Sequence, residues 1–370
     1  MENEQILKTV KFRMYPDRKQ EKLLNSTFGC CRLIFNMGLD MRIKAFKNNV
    51  KCGYMETSKM LTKLKENEDF RFLKDVDSVA LQQTLRDLDC AYRNFFSKHA
   101  GFPKFKSKKN PKASYRTINQ NNKIRIEGNK IRLPKLGYVK IKKSLEPGKI
   151  HSATIEKAST GKYFVSVLYE TFRQKHINGG GEVGVDVGIN NFCVLSDGTK
   201  IENPKFLKKL RKRLIRQQRK LSRKKIDSNN FYKQKKELAL IHEKICNQRN
   251  DFLHKLSNSL VSENQTISLE NLEIRNMLRN HHLAESISDV SWYKFKTLLK
   301  YKAELYGTKI VEIDTFFPSS QMCSVCGYRN PNVKDLRVRF WTCPQCQTRL
   351  DRDINAAINI KNEGFRLVFA

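Results

Sequence analysis

Two Cys-x2-Cys pairs near the C-terminal end constrain this chain more than any other feature. Cys323 and Cys326 form the first pair, Cys343 and Cys346 the second, and 16 residues lie between the pairs. At that spacing each knuckle presents two thiolates along one edge of a tetrahedron, and the loop containing Gly327 brings the knuckles together. Four thiolates leave no position for water, so the expected ion is a structural Zn2+ and residues 321–347 read as a zinc ribbon. A redox pair of this kind needs a thioredoxin-like βαβ setting, which is missing here. The other cysteines, at 30, 31, 52, 90, 193 and 246, show no ligand spacing, and most read as small core residues. Arg339 and Trp341, beside the second knuckle, suit either ribbon packing or contact with nucleic acid.

Charge narrows the partners. Lys and Arg number 72 against 37 acids, a formal charge of +35, which would repel the compact state from within unless polyanions neutralise it. Phosphate backbones are the polyanion such a chain most readily meets. No run of about 18 apolar residues suggests a membrane span. The start, MENEQILKTVKF, lacks a charged n-region followed by an apolar h-region. The expectation is a soluble, cytoplasmic, nucleoid-associated protein without a membrane partner. At 370 residues the chain should divide into two or three domains.

Residues 5–14 read as a strand, and Pro16 marks the exit into a helical region reaching about residue 99. There Leu81, Leu85, Leu88, Tyr92 and Phe95 recur at helical spacing. Gln83, Arg86 and Arg93 fall off that stripe, on a face either merely solvated or directed at nucleic acid. In GFPKFKSKKNPKASY (101–115), Lys104 and Lys106 interleave with Phe102, Phe105 and Tyr115, cations for phosphates alternating with rings for bases. From 117 to 178 short β-rich runs (KIRI, KIRL, YVKI, YFVSVLY) read as a small β module completed by the N-terminal strand. HINGGG (176–181) reads as a linker. GEVGVDVGINNFCVLSDGTKI then gives three β runs, with a turn at Asp197-Gly198. Between Lys200 and Lys225, 13 residues are Lys or Arg and one is acidic. Leu207, Leu210, Leu214 and Leu221 keep a helical stripe beneath that charge. The segment reads as a helix docked on one side and offering Arg213, Arg216, Arg219 and Arg223 on the other.

Acids at three distant places complete the reading. Asp186 sits within GVDVGI, among apolar neighbours where a carboxylate is costly without a cation or partner. Glu270 ends the β-like run TISLE. Asp351 and Asp353 open DRDINAAINI, a helix marked by Ala356, Ala357 and Ile360, and an acid at a helix start is commonly a cap. Singly, each acid has a structural explanation.

Together these segments resemble a known family. GVDVGI, then SLENLEIRNM, then the four-cysteine ribbon just before DRDINAAINI, is similar to the split RuvC nuclease of the transposon-encoded TnpB proteins. YPDRKQEKLLNSTFGCCRLIFNMGL, AYRNFFSKHAGFPKFKSKKNPKASYRT and DFLHKLSNSLV extend the resemblance along the chain; NEGFRLVFA and residues 40–75 add nothing to it. The resemblance implies a multidomain α/β protein related to type V CRISPR effectors. An RNase H-like RuvC core (182–320 and 348–366) would carry the inserted ribbon, with a tail at 367–370. A β-barrel-like wedge module (1–15 and 117–178) would carry an α-helical recognition lobe (16–116). The implied activity is RNA-guided cleavage of double-stranded DNA beside a short transposon-associated motif, directed by a guide RNA from the transposon end, in a protein taken to be a prokaryotic monomer. The family's acids map to Asp186, Glu270 and Asp353, ligands of two Mg2+ ions. Helical geometry alone does not separate Asp353 from Asp351.

The chemistry of those residues agrees. Phosphodiester hydrolysis needs an activated water and a stabilised leaving oxygen, which two divalent ions supply, and carboxylates are the hard ligands such ions take. Base pairing would supply specificity, leaving the protein to grip backbone and admit single strands. A nuclease-inactive RNA-guided repressor, an RNase H-fold transposase and an RNA-independent resolvase are the rival readings. Acids at all three positions favour the enzyme over the repressor. The ribbon's place between the second and third acids, with no separate N-terminal helix-turn-helix, counts against the transposase, and the large basic N-terminal half against the resolvase.

Overall fold

The computed structural model describes residues 5–109, 113–142, 148–172, 180–335 and 337–369. The chain forms two compact units, Met1–Phe172 and Arg173–Ala370. Residues 176–179 of the expected linker lie outside the described residues.

The first unit runs β1 (Gln5–Tyr15), α1 (Arg18–Lys47), α2 (Tyr54–Glu66), α3 (Ser78–Phe96), β2 (Ala113–Ile118), β3 (Arg125–Glu127), β4 (Lys130–Leu133), β5 (Gly137–Ile141), β6 (Ile150–Lys157) and β7 (Tyr163–Phe172). Its strands make one antiparallel sheet in the order β2-β6-β7-β1-β5-β4-β3, so the N-terminal strand sits inside the later β module, paired along its length with β7. Helix α1 starts after Pro16 because Asp17 and Gln20 form a reciprocal capping box. Leu81, Leu85 and Leu88 of α3 are fully buried, each contributing about 1.5–3 kcal/mol. Helices and sheet share one core: Leu24, Phe28, Leu81 and Leu85 cluster with Ile131, Val139, Ile155 and Val165. The change from helix to strand comes at Ala113, ahead of residue 117, and Asp77 ties the two together. Its side chain caps α3 through the Val79 N–H and accepts from the Thr117 hydroxyl at 2.5 Å.

The second unit begins with β8 (Gly181–Val187), β9 (Asn191–Leu195) and β10 (Lys200–Glu202). Helices α4 (Phe206–Ser222) and α5 (Asn229–Glu263) follow, then β11 (Asn264–Glu270), α6 (Ile274–Met277), α7 (Ala284–Val290), α8 (Trp292–Tyr306) and β12 (Lys309–Ile313). Two short strands, β13 (Phe340–Thr342) and β14 (Arg349–Asp351), lead into α9 (Arg352–Phe369). The main sheet is ordered β10-β9-β8-β11-β12, with β9 antiparallel to both its neighbours and β8, β11 and β12 parallel. Strand alternation divides its residues between two faces. Val183, Val185, Ile267 and Leu269 join the core with Leu253, Leu260, Phe295 and Leu299 of α5 and α8. Gly184, Asp186, Ser268 and Glu270 therefore lie on the other face, which α9 covers.

Glycine makes that cover close. A Cβ at Gly184 would stand 2.1 Å from the Ala357 carbonyl oxygen, and one at Gly364 would stand 1.9 Å from the Ser268 Oγ. Helix and strand backbones nearly touch at Gly184, and at Gly364 the helix backbone rests on the Ser268 side chain. The helix thus runs from Asp353 past Gly184 to Ser268, its first turn beside the C-terminal ends of β8 and β11.

Candidate active site and metal centre

Register brings the first two acids together. Leu269 of β11 pairs with Val185 of β8, so Glu270 and Asp186 occupy neighbouring positions at the strand ends. Asp353, in the first turn of α9, lines the same cavity of about 440 Å3, with Ser319, Ser320, Arg339 and Arg352. The acids feel one another. Burial, then the charges of Glu270 and Asp353, raise the Asp186 carboxyl well above its usual range against the opposing Arg352. Burial also raises Glu270, although the Ser319 hydroxyl, donating to its Oε1 at 2.6 Å, opposes the shift. Carboxylates held this way are short of positive charge, and their hard oxygens suit a divalent ion. They do not form a tight cage: among the described residues, no group of three carboxylate ligand atoms lies within 4.8 Å of one another.

Asp351 does something different. Its Oδ1 accepts from the backbone N–H groups of Asp353 and Ile354 at 3.0 and 3.1 Å, and its Oδ2 from Lys200 Nζ at 2.6 Å. It caps α9. Partial burial notwithstanding, Lys200 and those N–H groups hold its carboxyl below the usual range. Asp353 is left facing the cavity, 3.5 Å from Arg339 Nη1.

The four cysteines meet as their spacing requires. Their sulfurs lie within 4.8 Å of one another, with Cys323–Cys346 and Cys326–Cys343 each at 3.6 Å. A tetrahedral Zn2+ with bonds of about 2.3 Å sets sulfur–sulfur edges of about 3.8 Å, so the donor set fits. Thr348 hydrogen-bonds Cys346 and draws that thiol down to about 6, while against the Tyr328 backbone hydrogen bond burial and the neighbouring thiols push Cys326 up to about 12, and a bound cation would favour the thiolate form at all four. Trp341 is buried with Val333 and Leu350 around the cluster and so packs the ribbon, whereas Arg339 faces the acids.

Three residues that the sequence reading did not single out join these parts. Asn355 and Asn359, both buried, project from α9 to the first knuckle. Asn355 donates to the Met322 carbonyl and accepts from the Ser324 N–H, while Asn359 donates to the carbonyls of Met322 and Ser319. Ser319 in turn holds Glu270. The i, i+4 asparagines in DINAAINI were the available signal, since polar side chains on a buried helix face need partners.

The candidate nucleic-acid residues divide. Arg213, Arg216, Arg219 and Arg223 are exposed, and Leu214, Leu207 and Leu210 seat α4 on Ile241 and Ile245 of α5. Arg86 is exposed, its guanidinium 5.0 Å from the Tyr54 ring centroid. Lys104, Phe105 and Lys106 are also exposed. Gln83 and Tyr115 are corrected. Both are buried, Gln83 because β2 covers that side of α3, with Arg116 reaching it at 3.4 Å, and Tyr115 because strand alternation turns its ring inward against Phe28, 5.5 Å away.

Fold and site together define a class: a two-unit α/β chain whose acid-lined cavity is tied through one helix to a four-thiolate centre. A family model described as a probable transposase matches residues 164–281, and one for the TNB domain of Cas12f1-like proteins matches 292–360. A model described as a helix-turn-helix domain matches residues 1–51, a span whose described residues hold β1 and one helix, α1. A candidate RNA-guided DNA endonuclease of Streptomyces pristinaespiralis is 38% identical over 98% of this chain and 90% of its own length. Another, InsQ of Escherichia coli (strain K12), is 32% identical over 97% and 92%. The Cas12f1 chain in a cryo-EM structure of a Cas12f1–sgRNA–target DNA complex shares the fold, with a TM-score of 0.62 at 13% identity over 97% of this chain and 99% of that one. The chain belongs to the TnpB family of RNA-guided DNA endonucleases. Among the described residues no helix is long and apolar enough to cross a membrane.

Proposed function

We propose that this chain cuts double-stranded DNA by Mg2+-dependent hydrolysis at the cavity of Asp186, Glu270 and Asp353, directed by a guide RNA from the transposon end and beside a short transposon-associated motif. The convergence of the three acids on one cavity carries the reading. Bound there, Mg2+ would activate the attacking water and stabilise the leaving oxygen. The protein's own groups prepare the place: Ser319 orients Glu270, the cap at Asp351 fixes the first turn of α9, and Arg339 and Arg352 add positive charge beside a scissile phosphate. The mixed five-stranded sheet supports an RNase H-like, RuvC-type core for residues 182–320 and 348–366 around the ribbon. The antiparallel sheet with β1 would be the wedge module expected at 1–15 and 117–178, with β2 opening it at Ala113, and α1–α3 the recognition lobe expected at 16–116. The exposed face of α4 suits backbone phosphates.

The test is to express the chain with its native flanking DNA, sequence the RNA that co-purifies, and supply Mg2+ and a target matching that RNA. A defined RNA and cleavage dependent on its match support the reading. Cleavage indifferent to RNA, or none with a bound guide, refutes it.

A further inference from the structure

We propose that a groove in the first unit, between α1, residues 104–107 and the start of β2, holds one unstacked nucleotide of a single strand. The inference rests on the nucleic-acid reading above and adds a subsite to it. The groove measures about 520 Å3, within the range of about 300–1,000 Å3 in which proteins hold small ligands. Phe28 forms its floor, almost fully buried and braced by the Tyr115 ring. Phe105 forms a lip, 56% exposed.

That lip is built rather than loose. The Asn36 side chain on α1 donates to the Lys106 carbonyl at 2.9 Å and accepts from the Lys106 N–H at 2.8 Å, the bonding a paired strand would supply. Pro103 is buried just upstream, and the Lys106 ammonium rests 3.9 Å from the Phe35 ring centroid. The segment is thus fixed while the Phe105 ring stays out in water, an arrangement with little value to the core and direct value to a flat ligand.

The remaining lining completes a nucleotide's requirements. Arg32 enters the groove and has no carboxylate partner among the described residues. Exposed Lys104 and Lys108 flank the lip. Ser107 accepts from the Lys109 N–H at 3.1 Å, which leaves its hydroxyl proton to donate, and Ser114 adds a second hydroxyl. The exposed Phe105 ring meets the base, cations the phosphate, and hydroxyls the base edge. Among the described residues no acid lines the groove. Its nucleophile, Cys31, is no reagent, since burial pushes that thiol up to about 12. The groove therefore binds and does not react.

The experiment titrates the full-length protein against short single-stranded oligonucleotides carrying one 2-aminopurine, as DNA and as RNA, and reads quenching and affinity. Loss of one stacked base should weaken binding about tenfold in Phe105→Ala. Phe105→Leu should match Phe105→Ala, because a flat ring and not apolar area is required, and Phe105→Trp should bind like the parent. Arg32→Gln should weaken binding and flatten its salt dependence. The oligonucleotide more affected, DNA or RNA, names the source of the nucleotide. Equal binding by the parent, Phe105→Ala and Phe105→Leu overturns the subsite and leaves the nuclease reading standing, whereas a parent that binds neither probe overturns the nucleic-acid reading itself.

Discussion

Replacing Gly184 with alanine should unseat α9 from the sheet and, with it, the third acid from the other two. The new Cβ would stand 2.1 Å from the Ala357 carbonyl oxygen, 2.6 Å from the Lys361 backbone nitrogen and 2.8 Å from its Cβ. Ordinary contact begins near 3.4 Å, so strand and helix must part by about 1 Å, and no rotamer change can absorb a clash between backbones. Overpacking of this kind costs about 1–3 kcal/mol, and the backbone partners place Gly184→Ala at the upper end, near 3 kcal/mol. Displacing a reacting group by about 1 Å can cost about 100-fold in rate. Urea denaturation should therefore show the stability loss, and guided cleavage of target DNA should fall by about two orders of magnitude with guide RNA still bound. Gly364→Ala provides a matched comparison. It meets the Ser268 side chain, at 1.9 Å from Oγ and 2.6 Å from Cβ, so adding Ser268→Gly should recover part of its loss. A Gly184→Ala protein within 0.5 kcal/mol of the parent and cutting at the same rate would refute the close packing of α9 on β8.

Removing zinc, or changing Cys343 to Ser, should unfold the ribbon and lower cleavage through the asparagine links to Met322 and Ser319; a zinc-free sample of full activity would contradict this. Neutralising Arg213, Arg216, Arg219 and Arg223 should weaken nucleic-acid binding and flatten its salt dependence by about 0.9 for each phosphate no longer neutralised, and an unchanged slope would show the face to be merely solvated. The raised Asp186 carboxyl makes a pH prediction. The folded chain retains a proton that the unfolded chain releases, so the associated stability is full below about 4 and is lost as pH rises through the raised folded value. In Mg2+-free buffer the stability advantage of Asp186→Asn over the parent should grow with pH above about 4 and shrink when Mg2+ is added. A pH-independent difference would contradict it.

What the sequence revealed follows the range of the interactions involved. The zinc cluster was legible because each knuckle is local and only one long loop separates the pairs. The acids were legible as residue types, and the apolar neighbours of Asp186 marked a carboxylate in need of a cation or partner. Their meeting followed only from the family resemblance and not from the residues themselves, because it depends on the parallel register of β8 with β11 and on glycine-mediated approach of α9. Ser319 was invisible for the same reason, since Glu270 lies 49 residues away, and the asparagines of DINAAINI signalled a need for partners without naming them, Asn359 reaching Ser319 across 40 residues. Gln83 and Tyr115 were misjudged through neighbouring sequence. Helical periodicity located the apolar stripe of α3 but not the strand that covers its flank, and Tyr115 belongs to β2, not to the lysine-rich segment before it.

The most direct test of the account measures guided DNA cleavage and guide-dependent DNA binding side by side in Asp186→Ala, Glu270→Ala, Asp353→Ala and Asp351→Ala. The first three should lose Mg2+-dependent cutting by orders of magnitude while binding RNA and target nearly as the parent does. Metal ligands serve the transition state, whereas affinity comes from phosphate contacts and base pairing. Asp351→Ala should lose about 1 kcal/mol of stability with its cap and keep most of its activity. If Asp351→Ala is inactive while Asp353→Ala cuts, the two acids have exchanged roles, and if all four cut like the parent, the cavity is not the active site.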